Sequence, residues 1–137
     1  MSAEIPRHYR LQPLLRIKAR NKQRAELALA KAITRWEEEK RRLATLTEER
    51  LEIVRRRKEA RQELHRKVAS GRATVKEGSY RIHFLKRLEE EEKRKVEEIE
   101  KQKEVVSECE TQVKRARRDY INAVKELRVM EKHKELW

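Results

Sequence analysis

The chain has 137 residues, of which 46% are charged and only 4% aromatic. Its 38 Lys and Arg against 25 Asp and Glu give a net charge of +13. An ordinary globular domain is about 25% charged, so this composition disfavours a deep apolar core and with it compact α/β and all-β folds. Ala, Leu, Glu, Lys, Arg and Gln dominate, and these residues are strong helix formers. We therefore expect one all-α domain over residues 1–137.

The N-terminal segment MSAEIPRHYRLQPLLRIK has no apolar run long enough for a secretory signal. No stretch approaches the roughly 18 apolar residues of a membrane span. The single cysteine, Cys109, allows neither a disulfide framework nor a cysteine metal site. These features favour a soluble protein of the cytoplasm.

The first predicted helix runs from about residue 12 to residue 69. Pro13 suits the first turn of a helix, where the missing N–H has no intrahelical partner, and nothing before Ala69 breaks the helix. Apolar side chains recur in two interleaved seven-residue series, as in the seam of a coiled coil. The series are Leu15, Lys22, Leu29, Trp36, Leu43, Arg50, Arg57, Leu64 and Leu11, Lys18, Ala25, Ala32, Glu39, Leu46, Ile53, Ala60.

The segment of about 70–78 is the predicted bend, because it holds both glycines of the chain. Gly71 can adopt the left-handed conformation that ends a helix. Thr74 and Glu77 have the spacing of a capping box for the next helix. Gly78 is expected to loosen the first turn of that helix.

The second predicted helix covers about 79–137 and continues the seven-residue pattern. Its series are Leu85, Glu92, Ile99, Val106, Val113, Tyr120, Leu127, Lys134 and Leu88, Lys95, Gln102, Cys109, Ala116, Ala123, Met130, Trp137. Two arms of similar length around one break predict a long antiparallel two-helix coiled-coil hairpin, monomeric when free. In the expected register, position i faces position 148 − i. A parallel dimer of a bent or continuous rod is the alternative arrangement.

No catalytic constellation is present, so we expect no enzymatic activity and no cofactor. The histidines are scattered, and the glycines do not form a phosphate-binding loop. The acidic run of residues 89–92 points in several directions on a helix. Glu89, Glu90 and Glu91 can each bond the basic residue four positions later, so we interpret the run as a solvated face and not as an acid–base pair.

The positive charge is concentrated in residues 1–70, which carry 20 Lys and Arg against 10 Glu. Such a surface suits an acidic protein, a membrane surface or nucleic acid. A basic-zipper protein would place its basic segment before an uninterrupted zipper, but here seam residues run through the segment RIKARNKQR. We expect no nucleic-acid partner. A basic coiled-coil nucleic-acid binder and a structural coiled-coil scaffold remain as alternatives.

Three segments carry a family resemblance. The start LQPLLRIKARNKQRAELALAKA resembles the opening of the FliJ and YscO proteins of bacterial type III export systems. The segment YRIHFLKRL is similar to the one that opens the second helix of FliJ, and VKELRVMEKHKELW resembles the charged end of the family. The chain departs from the family in two ways. Tyr80 lies four residues before Phe84 rather than three, and the positive charge is unusually high, which leaves the flagellar and virulence systems both open.

The resemblance implies a non-enzymatic central-stalk component of an export apparatus at the inner membrane. Its paired termini would enter a hexameric export ATPase and promote ring assembly. Its bend would reach the cytoplasmic domain of the membrane export gate, and export chaperones are further expected partners. The predicted gate contacts are Phe84 and Leu88. Phe84 would otherwise pack across the bend against Val68 or Val75. The predicted ATPase contacts are Arg16, Lys18, Arg20, Lys22, Arg24, Arg117, Arg118 and Lys125.

Overall fold

Two long helices make up the fold. The structure is a computed structural model that describes residues 9–72 and 74–137. Helix α1 spans Gln12–Ala69 and helix α2 spans Val75–Leu136. No strand occurs in either described range. Residues 1–8 and Ala73 lie outside the described part, so the prediction of one domain over 1–137 stays a prediction.

Helix α1 begins at Gln12, whose amide donates to the Tyr9 carbonyl three residues earlier at 2.9 Å. Pro13 lies in the first turn, as expected of a residue that lacks the N–H donor. Arg66 and Lys67 lie in the last turn, where positive charge interacts favourably with the carbonyl end of the helix dipole. The ends of α1 therefore follow from local sequence signals.

The bend is shorter than the sequence predicted. Gly71 has φ of 69°, the left-handed conformation expected of it. The Thr74 hydroxyl accepts the Glu77 amide at 3.2 Å, which confirms that Thr74 caps α2. Helix α2 starts at Val75, four residues before the predicted position, so Gly78 lies inside its first turn. The Gly78 amide donates to the Thr74 carbonyl at 3.0 Å, and the expectation that Gly78 loosens this turn stays a prediction.

The chain divides into two compact units. The terminal unit consists of Met1–Glu37 and Glu108–Trp137, and the bend unit of Glu38–Ser107. Within each unit a segment of α1 packs against a segment of α2 that runs the opposite way, as cross-helix pairs such as Lys18–Glu126 and Glu49–Lys95 demonstrate. The fold class predicted from the sequence, an all-α antiparallel two-helix hairpin, is confirmed.

Both seven-residue series lie at the helix contact. In α2 the most buried side chains all come from the series: Leu88, Ile99 and Gln102 in the bend unit, with Cys109, Val113 and Ala123 in the terminal unit. In α1 every series member is half-buried except Leu11 and Arg50. Cys109 is therefore a packed seam residue, as the repeat predicted.

The register differs from the prediction by about one helical turn. In the terminal unit Lys18 pairs with Glu126, and in the bend unit Glu49 pairs with Lys95 and Glu63 with Arg81. In each pair position i faces position 144 − i rather than 148 − i. The reason lies in the bend, because α2 starts four residues earlier than expected and shifts its partners by the same amount.

Candidate functional site

An aromatic cluster in the terminal unit joins the two ends of the described chain. Tyr9 is only 6% exposed, and its hydroxyl lies 2.5 Å from His133 Nδ1. The ring of Tyr9 also meets the edge of Trp137 at a centroid distance of 5.5 Å. A buried tyrosine hydroxyl needs a hydrogen-bond partner, and His133 supplies it. Sequence reasoning missed this cluster because Tyr9 precedes the heptad pattern.

The bend unit contains an ionic cluster at its helix contact. Glu92, which is 15% exposed, accepts a hydrogen bond from Arg57 and lies 3.8 Å from Arg50. All three residues are charged members of the seven-residue series. Removing Glu92 would leave the charges of Arg50 and Arg57 at the helix contact without this partner. The cluster therefore favours one register over its neighbours.

Two further polar contacts cross the helices of the bend unit. The Gln102 amide donates to the Glu39 carboxylate at 2.6 Å and to the Glu39 carbonyl at 2.9 Å. The Lys95 ammonium donates to Glu49 at 2.6 Å, and this hydrogen bond raises the pKa of Lys95 above its ordinary value. Lys95 also reaches Glu98. The ion pairs open to Glu89, Glu90 and Glu91 with residues four positions later are not formed in the described ranges.

The predicted ATPase contacts do not share one face. Lys18 and Lys22 are half-buried at the helix contact, and Lys18 is paired with Glu126 at 2.9 Å. The other predicted residues of α1, which are Arg16, Arg20 and Arg24, are exposed. On α2 the exposed predicted residues are Arg117, Arg118 and Lys125. Alternate residues of a helix point about 200° apart, which explains why the run from 16 to 24 separates into inward and outward members.

The two predicted gate residues have different environments in the bend unit. Leu88 is 1% exposed and belongs to the helix contact, so its side chain is not accessible to a partner in this structure. Phe84 is half-buried, and the Arg87 guanidinium lies 5.8 Å from its ring centroid. Val75 is 91% exposed and Val68 62% exposed, which disfavours the alternative that Phe84 packs against them across the bend.

Phe84 lines an open groove of about 720 Å³ next to the bend, which we call the bend groove. Tyr80 lies on the same wall, because residues four apart occupy the same side of a helix. Arg81 reaches Glu63 across the groove at 3.4 Å. The full lining is Ala60, Glu63, Lys67, Thr74, Lys76, Glu77, Tyr80, Arg81 and Phe84.

The bend groove combines an aromatic wall with mixed charges, which is suited to a peptide segment rather than to a reaction. Sequence reasoning named Phe84 but missed its neighbours on α1, which are Ala60, Glu63 and Lys67. Their signal was available in the spacing of three and four residues, which puts all three on one side of α1. In residues 9–72 and 74–137, no group of three His, Cys, Asp or Glu is placed to hold a metal ion. The described helices also lack any segment apolar and long enough to cross a membrane.

Comparison with known proteins identifies the family. The YscO-like protein family matches residues 6–137, and the chain therefore belongs to the YscO-like family. It is a protein of type III secretion, and its family is a structural one within that system. No curated protein sequence matches the chain.

A solved structure has a similar fold. The protein CT670 from Chlamydia trachomatis, a candidate YscO homologue, matches this chain with a TM-score of 0.80. The match covers 96% of this chain and 80% of CT670 at 24% sequence identity. The similarity shows that the helical hairpin is shared. The expectations of no enzymatic activity and of particular partners stay predictions.

Proposed function

We propose that this chain is a non-enzymatic central-stalk component of a type III export apparatus, working in the cytoplasm at the inner membrane. Its terminal unit inserts into a hexameric export ATPase and promotes assembly of the ring. Its bend unit contacts the cytoplasmic domain of the export gate, and export chaperones are additional partners. The observation that carries the proposal is membership of the YscO-like family over residues 6–137.

The structure of the terminal unit supports the first part of the proposal. The Tyr9 cluster holds the start of the described chain against the end of α2, so both segments can enter one pore as a single element. Arg20, Arg118 and Lys125 are exposed and form no ion pair within the described ranges. These three cations are available for acidic groups of a ring, through contacts that weaken with salt.

The structure of the bend unit supports the second part. Phe84 and Tyr80 form an accessible aromatic wall in the bend groove, and aromatic side chains in pockets are frequent anchors of protein interfaces. Leu88 contributes by packing at the helix contact rather than by touching the gate, because it is buried.

The test measures ATP hydrolysis by the export ATPase of the same organism over a series of enzyme concentrations, with and without this chain. We expect stimulation at low enzyme concentration together with co-sedimenting rings. The variant Arg20→Glu, Arg118→Glu, Lys125→Glu is expected to shift the stimulation to higher enzyme concentration. A matched control reverses Arg41, Arg66 and Lys101, which are equally exposed cations of the bend unit.

An absence of stimulation at every enzyme concentration in low salt would contradict the stalk function. Self-association without an effect on the ATPase would favour a coiled-coil scaffold. Tight binding to duplex DNA with a steep salt dependence would favour a nucleic-acid binder.

A further inference from the structure

The bend unit has a second exposed surface that the proposed function does not use. Val68, Val75 and Ile82 are 62%, 91% and 47% exposed, and all three are β-branched apolar residues. We call this surface the valine strip and include in it the half-buried Val54 and Val96. A cluster of exposed apolar side chains on a highly charged chain indicates an interaction site.

The seven-residue repeat places the valine strip on the flank opposite the bend groove. With Leu64 and Leu85 as first positions of the repeat, all five residues of the strip fall at the fifth position. The groove residues Glu63, Glu77 and Phe84 fall at the seventh position. In an antiparallel helix pair, fifth positions adjoin fifth positions on one flank, and seventh positions adjoin seventh positions on the other. The hydrogen bond between the seventh-position residues Arg35 and Gln112 in the terminal unit follows this rule.

Apolar residues at the first, fourth and fifth positions of the repeat give a helix an apolar face that is wider than the contact of two helices requires. Helices that pack in a bundle use such a wider face, whereas a strict coiled-coil pair uses only the first and fourth positions. Val75 and Ile82 are seven residues apart, or about 10 Å along the helix axis. The valine strip therefore has the pattern and the linear form of a surface for a third helix.

The charges that border the valine strip are almost all positive. Over residues 54–68 and 75–93, the fifth positions and the adjoining second positions hold four cations, which are Lys58, Arg61, Lys86 and Lys93, and one carboxylate, Glu89. All four cations are exposed, and none forms an ion pair in the part of the chain that the structure describes. Over the same ranges the groove flank is balanced, with Glu59, Glu63, Glu77 and Glu91 beside Arg56, Arg66 and Arg87.

We propose that the valine strip binds an amphipathic helix of a partner protein whose apolar ridge is bordered by carboxylates. The apolar ridge would bury Val68, Val75 and Ile82, and the carboxylates would pair with the four unpaired cations. A second copy of this chain is disfavoured, because the same cations would face one another. An anionic membrane is disfavoured because the strip has no Trp, Phe or Leu and follows the helix axis.

The test uses two synthetic amphipathic peptides of about three heptads, which share one apolar ridge. One peptide carries Glu on both sides of the ridge and the other carries Lys. Fluorescence anisotropy with the full chain is expected to give micromolar binding of the acidic peptide and none of the basic peptide. Val75→Ser with Ile82→Ser, and separately Arg61→Glu with Lys86→Glu, should each weaken binding about tenfold, or 1.4 kcal/mol.

The control variant is Val129→Ser, which removes a valine that is 65% exposed in the terminal unit. Its affinity for the acidic peptide should stay within about twofold of the unchanged chain. Circular dichroism confirms that each variant retains its helices. Equal weakening by Val129→Ser, or no binding of the acidic peptide, would overturn the proposal. Binding to phosphatidylserine vesicles that Val75→Ser and Ile82→Ser abolish would assign the strip to a membrane instead, and self-association with the same sensitivity would assign it to a second copy.

Discussion

The terminal unit and the bend unit share one seven-residue repeat but stabilise their helix pairs by different contacts. In the terminal unit the most buried seam residues of α2 are the small and medium side chains Cys109, Val113 and Ala123, and Tyr9 packs against the end of α2. In the bend unit the seam includes Glu92, Lys95 and Gln102, each of which reaches across to α1. Apolar layers can pack in neighbouring registers of the two helices, whereas cross-helix polar contacts form in only one register.

This difference explains why the register follows the bend. The Thr74 cap fixes the first residue of α2, and Glu92, Lys95 and Gln102 form their cross-helix contacts in the pairing that results. We therefore expect the bend unit to specify the alignment of the two helices. The terminal unit contributes apolar burial, the ion pair of Lys18 with Glu126, and the contacts of Tyr9 with His133 and Trp137.

The largest expected effect is the loss of a buried seam side chain in the bend unit. Leu88→Ala removes the most buried leucine and should lower the free energy of unfolding by about 3 kcal/mol. Urea denaturation followed by circular dichroism measures this change. Leu51→Ala is the matched control, because Leu51 is 63% exposed in the same unit and should cost less than about 0.5 kcal/mol. Equal losses from both variants would mean that the seam does not dominate stability.

The second prediction compares ion pairs of the two units. Glu92→Gln removes the charge that Arg50 and Arg57 share, and it should cost about 2 kcal/mol because the contact is half-buried. Glu126→Gln removes the partner of Lys18 in the terminal unit, where Glu126 is more than half exposed, and should cost about 0.5 kcal/mol. Urea denaturation of the two variants side by side gives the comparison. Similar losses would contradict the different character of the two units.

The third prediction concerns the Tyr9 cluster. Tyr9→Phe keeps the ring but removes the hydroxyl that bonds His133, and it should cost about 1 kcal/mol. Amide hydrogen exchange is expected to increase in the last turns of α2 and to stay unchanged in residues 79–100. Tyr80→Phe is the control, because the Tyr80 hydroxyl forms no hydrogen bond in the described chain. Amide hydrogen exchange of this variant should equal that of the unchanged chain. If Tyr9→Phe leaves exchange unaltered, the cluster does not hold the chain ends.

The last prediction concerns a gain in stability at the bend. Gly78→Ala should stabilise the chain by about 1 kcal/mol, because Gly78 lies in a helix and an added Cβ meets no atom within 4 Å. Gly71→Ala should destabilise it by about 1 kcal/mol, because φ of 69° disfavours a side chain. Thermal denaturation measures both changes. Effects of the same sign would contradict the assignment of the turn to Gly71 alone.

The sequence predicted the features that depend on periodicity or on a local motif. The series through Leu88 and Cys109 predicted the buried positions, and Gly71 with Thr74 predicted the turn. The predicted start of α2 at about residue 79 was wrong. The helix starts at Val75, because the cap at Thr74 outweighs the low helix propensity of Gly78. The functional surfaces were predicted less well, because they depend on which residues of α1 face which residues of α2. That pairing is fixed by the length of the bend, and so the bend groove and the inward orientation of Lys18 required the structure.

The most direct test of the account is site-specific photo-cross-linking with the chain, the export ATPase and the cytoplasmic domain of the export gate together. A photoreactive residue replaces Arg20 in the terminal unit or Tyr80 in the bend groove, and both side chains are exposed. We expect position 20 to cross-link to the ATPase and position 80 to the gate, with neither product formed by the other position. Cross-linking of position 80 to the ATPase, or of neither position to its expected partner, would contradict the assignment of the two units.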